Sequence, residues 1–149
     1  MLKLAIAGAA GRMGRTLLHA VATNPNFTVS SALVREGHAN LGDVVKLSTD
    51  TVCYSSEFAN DAHCLVDFTT PKYSLALLQQ CVSSKIPSVI GTTGFDAEQL
   101  EEISEAACSI PVLLAPNTSL GVNLVLSLLR LAATAIGDTA DIEVVEAHH

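Results

Sequence analysis

The chain has little charge and few aromatic side chains, and both shortages narrow what it can be. Asp, Glu, Lys and Arg make up only 15% of its 149 residues, against 49% hydrophobic, which excludes a disordered segment. Basic residues are the scarcer sign. The net charge is −7, so the basic face that nucleic-acid binding needs is missing and no such partner is expected. Aromatics are 4%, which leaves the core to Ala, Val, Leu and Ile, a composition that suits helices layered over a parallel sheet. The cysteines, Cys53, Cys64, Cys81 and Cys108, form no C-x-x-C pair and have no histidine at metal-site spacing. No metal is expected, and the thiols read as reduced and mostly buried in a cytoplasmic protein. The apolar run Leu2 to Ala7 is too short for a signal peptide. A longer apolar stretch, Leu120–Ile136, contains Asn123 and Arg130 and falls short of the roughly 20 residues a bilayer requires. It reads as a buried core helix, not as a membrane partner.

What is present begins directly behind that first apolar run, with Gly8-Ala9-Ala10-Gly11-Arg12-Met13-Gly14. A strand that runs into a glycine-rich turn, with a helical pattern behind it, points to a dinucleotide-binding site. Gly8 allows the tight reversal, Gly11 leaves room for a pyrophosphate, and Gly14 lets the helix pack closely. The helix N-terminus offers unpaired N–H groups and partial positive charge to the phosphates. The spacing is G-x-x-G-x-x-G and not the commoner G-x-G-x-x-G, so a plain glycine turn is the competing reading. Its place between strand and helix favours the nucleotide.

Further along, a helix over Met13 to Thr23 ends at Asn24-Pro25, and a strand over Val29 to Val34 ends at Arg35-Glu36-Gly37. About 20 residues past such glycines, the end of the second strand meets the adenosine ribose. An arginine there suits a 2′-phosphate and an acid suits the free hydroxyls. Arg35 therefore favours NADPH, while Glu36 keeps NADH possible and a solvated loop arginine is the bland alternative. Residues 38–51 read as a loop, followed by a short strand over Val52 to Tyr54 and another over Cys64 to Phe68. Thr70 and Pro71 start a helix that runs to Ser84. A strand at Ser88 to Ile90 leads to Gly91-Thr92-Thr93-Gly94, and Asp96 with Gln99 forms a capping box for the next helix. Pro111 to Ala115 is a further strand, Ser119 caps the apolar helix, and Asp141 to Ala147 alternates as a strand would. Strands alternating with helices predict an α/β fold, a Rossmann-like doubly wound parallel sheet with helices on both faces. The polar and glycine clusters all fall at carboxyl ends of strands, where open α/β sheets bind ligands.

Read together, these segments resemble the N-terminal part of the dihydrodipicolinate reductase (4-hydroxy-tetrahydrodipicolinate reductase) family of diaminopimelate–lysine biosynthesis. They are Gly8 to Arg15, Val66-Asp67-Phe68-Thr69, Val89 to Phe95, Ala115 to Asn123 and Glu146-Ala147-His148-His149. The resemblance implies NAD(P)H-dependent reduction of a cyclic, unsaturated dicarboxylate by a homotetramer. It places Gly8, Ala9, Ala10, Gly11, Arg12 and Met13 at the pyrophosphate and Arg35 at the 2′-phosphate. Gly91, Thr92 and Thr93, with Ala115, Pro116, Asn117 and Thr118, would frame the nicotinamide and its ribose. His148 matches the catalytic histidine and His149 the substrate contact, roles that suit imidazole near neutral pH. Two residues depart from the pattern: Val34 replaces an acid, which again favours NADPH, and Thr118 replaces an aromatic. The family's proton-donating lysine and its carboxylate-binding Gly-Thr pair do not occur in these 149 residues. Residues 1–147 are thus expected to be the dinucleotide-binding domain and 148–149 the start of the junction to a substrate domain that is absent. By itself such a chain is expected to hold NADP(H) as a binding module without turnover.

Overall fold

The computed structural model describes residues 1–47, 51–59 and 61–145, so His148 and His149, and the junction they were expected to begin, lie outside the described residues. Two compact units are present, Met1–Pro116 and Asn117–His149.

In the first unit, strand β1 (Leu2–Ala7) leads into helix α1 (Arg12–Ala22) and then β2 (Phe27–Leu33). Two short strands follow, β3 (Val44–Lys46) and β4 (Thr51–Ser55). Next come β5 (Cys64–Asp67), helix α2 (Pro71–Ser84), β6 (Ser88–Ile90), helix α3 (Ala97–Ala107) and β7 (Val112–Leu114). The described strands form one seven-stranded sheet in the order β3-β4-β2-β1-β5-β6-β7. Neighbours pair in parallel except β3 and β4, which are antiparallel at one edge.

Both faces of the sheet are covered, and β1 shows how. Its side chains alternate across the pleat. Ala5 and Ala7 face a core built with Leu77, Leu78 and Cys81 of α2 and Ile103 and Ala106 of α3. Ile6 faces the other way, onto Leu18 and Val21 of α1, Ala32 and Tyr54. This is the doubly wound arrangement that the strand–helix alternation predicts.

Helix starts follow the local chemistry. Pro71 occupies the first position of α2 behind Thr70, and α3 opens with the full capping box. There the Gln99 backbone N–H donates to Asp96 Oδ1 at 2.9 Å, and the Asp96 N–H donates to Gln99 Oε1 at 3.1 Å.

Several expectations need correction. The stretch 38–51 is not all loop, because Val44–Lys46 pairs with Thr51–Cys53. Three residues are too few to show a period in the sequence. The cysteines are free, but only Cys81 is buried, while Cys53 and Cys108 are exposed. Alternation turns Cys53 outward as it turns Tyr54 in, and Cys108 is the C-terminal cap of α3. Burial pushes the Cys81 thiol up to about 12 and raises that of Cys64 as well.

The second unit consists of helix α4 (Leu120–Ile136), capped by Ser119 Oγ, which accepts from the Val122 N–H at 3.4 Å, and a 3-10 turn at Gly137–Thr139. Within its own unit α4 has no buried residue. One helix has no second layer inside its own unit against which to bury an apolar surface. The span Leu120–Thr139, mean hydropathy 1.7, is long and apolar enough to cross a membrane by length and composition, a test that core helices of soluble proteins also pass. Of the strand expected over Asp141 to Ala147, residues 141–145 form none, and 146–147 lie outside the described residues. A lone extended segment offers its backbone no ladder partner within that unit.

Candidate functional site

From β1 the chain winds through α1 to β2 on one side, then returns to β5 on the other. Such a switch point leaves a crevice at the carboxyl ends of the strands. Here it has a volume of about 780 Å³. Gly8, Ala10 and Gly11 of the first turn form one wall, and Val34, Arg35, Glu36 and His38 follow β2. Phe68, Thr69 and Thr70 follow β5, with Lys72 and Tyr73 in the first turn of α2.

The glycines are needed where close approach or backbone angle demands them. Gly8 has φ +72°, and a Cβ there would overlap the Phe68 carbonyl oxygen. A Cβ on Gly14 would overlap the Gly8 carbonyl oxygen, so this glycine seats α1 against the turn. Gly11 is the N-cap of α1 and supplies no side-chain cap, and α1 has no acid in its first turn. At α2, Thr70 makes no cap bond with its side chain and no acid follows. The contrast with the self-capped α3 is physical. Two helix N-termini beside the crevice keep their N–H groups and partial positive charge for something else, and an anion is what that arrangement takes.

Cations support the same conclusion. The one ion pair among the described residues is Lys3–Asp61 at 2.7 Å, and neither of its residues lines the crevice. Arg35 and Lys72 have neither an ion-pair nor a side-chain hydrogen-bond partner among the described residues. The residues present therefore fit a pyridine dinucleotide: glycines where its backbone must pass, two open helix ends, and cations without protein partners among the described residues.

Behind the crevice stands Asp67, the last residue of β5 and fully buried. Its carboxylate accepts from Ser74 Oγ, from Thr69 Oγ1 at 2.6 Å and from Thr92 Oγ1 at 3.2 Å. Thr92 Oγ1 in turn accepts the Thr69 backbone N–H at 2.8 Å. Burial raises the Asp67 carboxyl above its ordinary value, against the pull of the Ser74, Thr69 and Thr92 hydroxyls. This network ties the loop after β5 to the loop after β6. Gly91 completes the join, since a Cβ there would overlap the Phe68 ring.

The sequence-predicted residues divide accordingly. Gly8, Ala10, Gly11 and Arg35 line the crevice. Ala9 is buried in the α1-side core and its N–H donates to Leu33 O at 3.0 Å, so it supports the turn from behind. Arg12 and Met13 are exposed on the first turn of α1. Gly91 and Thr92 are buried in the Asp67 network and Thr93 is exposed after β6. Ala115 follows β7, its N–H donating to Ile90 O at 2.9 Å, and Pro116 closes the first unit. Asn117 and Thr118 belong to the second unit, where Asn117 Oδ1 accepts the Ser119 N–H at 2.8 Å. Lys72, Tyr73 and His38 line the crevice without having been predicted for it. Local sequence carried no sign of this, because a lysine and a tyrosine in a first helical turn look like ordinary surface.

Fold and crevice define a class: a Rossmann-like dinucleotide-binding domain with its site at the switch point of the sheet. Residues 2–118 match the family described as "Dihydrodipicolinate reductase, N-terminus", and the chain belongs to that family. It is 42% identical to 4-hydroxy-tetrahydrodipicolinate reductase of Hahella chejuensis and 43% identical to that of Methylococcus capsulatus. Each match covers 100% of this chain, which spans 58% of the length of either relative. A solved structure, dipicolinate-bound dihydrodipicolinate reductase from Paenisporosarcina sp. TG-14, superposes with a TM-score of 0.73 at 27% identity. That match covers 89% of this chain and 54% of the other. Aspartate semialdehyde dehydrogenase II of Vibrio cholerae shares the fold, with a TM-score of 0.53 at 16% identity over 76% of this chain and 38% of the other.

Proposed function

We propose that this chain is the cofactor-binding part of an NADPH-dependent reductase acting on a cyclic dihydrodipicolinate-type dicarboxylate in lysine and diaminopimelate biosynthesis. The observation that carries this reading is the crevice at β1, where two uncapped helix ends and unpaired Arg35 meet a turn of obligatory glycines. Residues 1–147 form the dinucleotide-binding part. Gly8, Ala10 and Gly11 pass the pyrophosphate close to their backbone, with Arg12 and Met13 opening α1 beside it. Arg35 meets the 2′-phosphate. Gly91, Thr92 and Thr93, with Ala115 and Pro116, hold the nicotinamide end. When bound, the reduced nicotinamide supplies the hydride. Asp67 fixes the Thr69 and Thr92 loops so that this end meets a preformed surface. His148 donates or holds a proton and His149 contacts substrate carboxylate, in a cytoplasmic homotetramer.

A second reading has its own support. All residues lining the crevice belong to Met1–Pro116, which supports the reading of the chain as an NADP(H)-binding module with no turnover of its own. Calorimetric titration of the chain with NADPH and with NADH tests both. Saturable binding with NADPH at least tenfold tighter is expected. Equal affinities would remove the Arg35 assignment, and binding of neither by folded protein would remove the functional reading.

A further inference from the structure

We propose that Lys72, in the first turn of α2, is a second cation for the 2′-phosphate of NADP(H), paired with Arg35 across the crevice and decisive for the choice of cofactor. This rests on the reading of the crevice as a dinucleotide site and adds a residue to it.

A hydrogen bond places the two cations. Tyr73 Oη donates to the Val34 carbonyl at 3.2 Å, joining the start of α2 to the end of β2 across a sequence gap of 39 residues. Lys72 precedes that tyrosine and Arg35 follows that valine, and both line the same crevice. The end of β2 is where a dinucleotide's adenosine ribose lies in this kind of sheet. Val34 itself is buried in the α1-side core, so the strand end presents an apolar side chain inward and a guanidinium outward. The remaining charged or titratable groups lining this end are Glu36 and His38. Two cations, Arg35 and Lys72, thus share this end of the crevice with one carboxylate.

Lys72 also stands where a lysine is electrostatically misplaced. It is the second residue of α2, at the positive end of the helix dipole, with no acid in that turn and no side-chain cap from Thr70. Lys72 makes no ion pair and no side-chain hydrogen bond among the described residues that would offset that repulsion directly. A dianionic phosphate between Lys72, Arg35 and the α2 N-terminus would. The residue thus opposes the free fold and favours the bound one, the pattern of a ligand contact rather than a solvated surface lysine.

The test is titration of Lys72→Gln, Lys72→Arg and Arg35→Gln chains with NADPH and NADH at low and high salt, with melting temperatures of the free proteins. Lys72→Gln should weaken NADPH about tenfold, leave NADH within about twofold, and reduce the salt dependence of NADPH binding. Its free form should melt no lower than the parent. Lys72→Arg should keep the preference. Unchanged NADPH affinity in Lys72→Gln, or equal loss for both nucleotides, overturns the proposal while the parent's binding upholds the crevice. A parent chain that binds neither nucleotide overturns the crevice reading and this proposal with it.

Discussion

At the scale of single residues the molecule turns on Asp67, a buried carboxylate whose partners are three hydroxyls and no cation. Its raised pKa has a definite sign in stability. The folded chain keeps the proton over a range above 3.8 in which the unfolded chain has lost it. The stability this group contributes is therefore greatest below that range and falls as pH rises through the folded value. Asp67→Asn removes the titration, so the variant should gain on the parent as pH rises from about 4, then hold a constant difference. Urea denaturation from pH 4 to 8 measures this, and parallel curves would mean that burial does not displace the group. Asp67→Ala leaves Ser74, Thr69 and Thr92 without an acceptor and should cost about 2–3 kcal/mol. The glycines and Arg35 were legible in the sequence because each stands in one continuous motif. Lys72 and Tyr73 were not, since only the β1–β5 switch brings α2 beside the end of β2.

Helices are best understood through what their first turns leave open. The sequence placed the α2 start at Thr70-Pro71 and the α3 start at Asp96, and both hold. Thr70 is the N-cap of α2, yet its side chain makes no capping bond, and that open end is the more informative fact. Gly14 sets how α1 meets its turn. Gly14→Ala would drive a methyl into the Gly8 carbonyl and the Ala9 backbone, moving the helix end that faces the crevice. It should destabilise by about 1–3 kcal/mol and weaken NADPH binding as well. Thermal melts and the same calorimetry report both, and a stable variant with unimpaired binding would remove Gly14 from the argument. Strands were legible where they are long or flanked by turns. The three-residue β3 was hidden because its identity comes from pairing with β4 and not from its own pattern.

For the whole molecule, the element that matters is α4, whose unit taken by itself leaves Leu120, Leu124, Val125, Leu128 and Leu131 exposed. Apolar surface on this scale drives association. The 149-residue chain should sediment as concentration-dependent oligomers, and Leu124→Gln with Leu128→Gln should reduce them. A strictly monomeric parent at high concentration would contradict this. The sequence by itself determined the alternation of strands and helices, the glycine turn and the family, because these depend on side chains close together in the chain. Burial and contact between distant segments belonged to the tertiary structure. It buried Asp67 under three hydroxyls, turned Cys53 and Cys108 outward, denied residues 141–145 a strand partner, and set Lys72 across a crevice from Arg35. The physical reason is the same each time: a side chain's environment depends on which segments the sheet brings beside it, and that pairing is non-local.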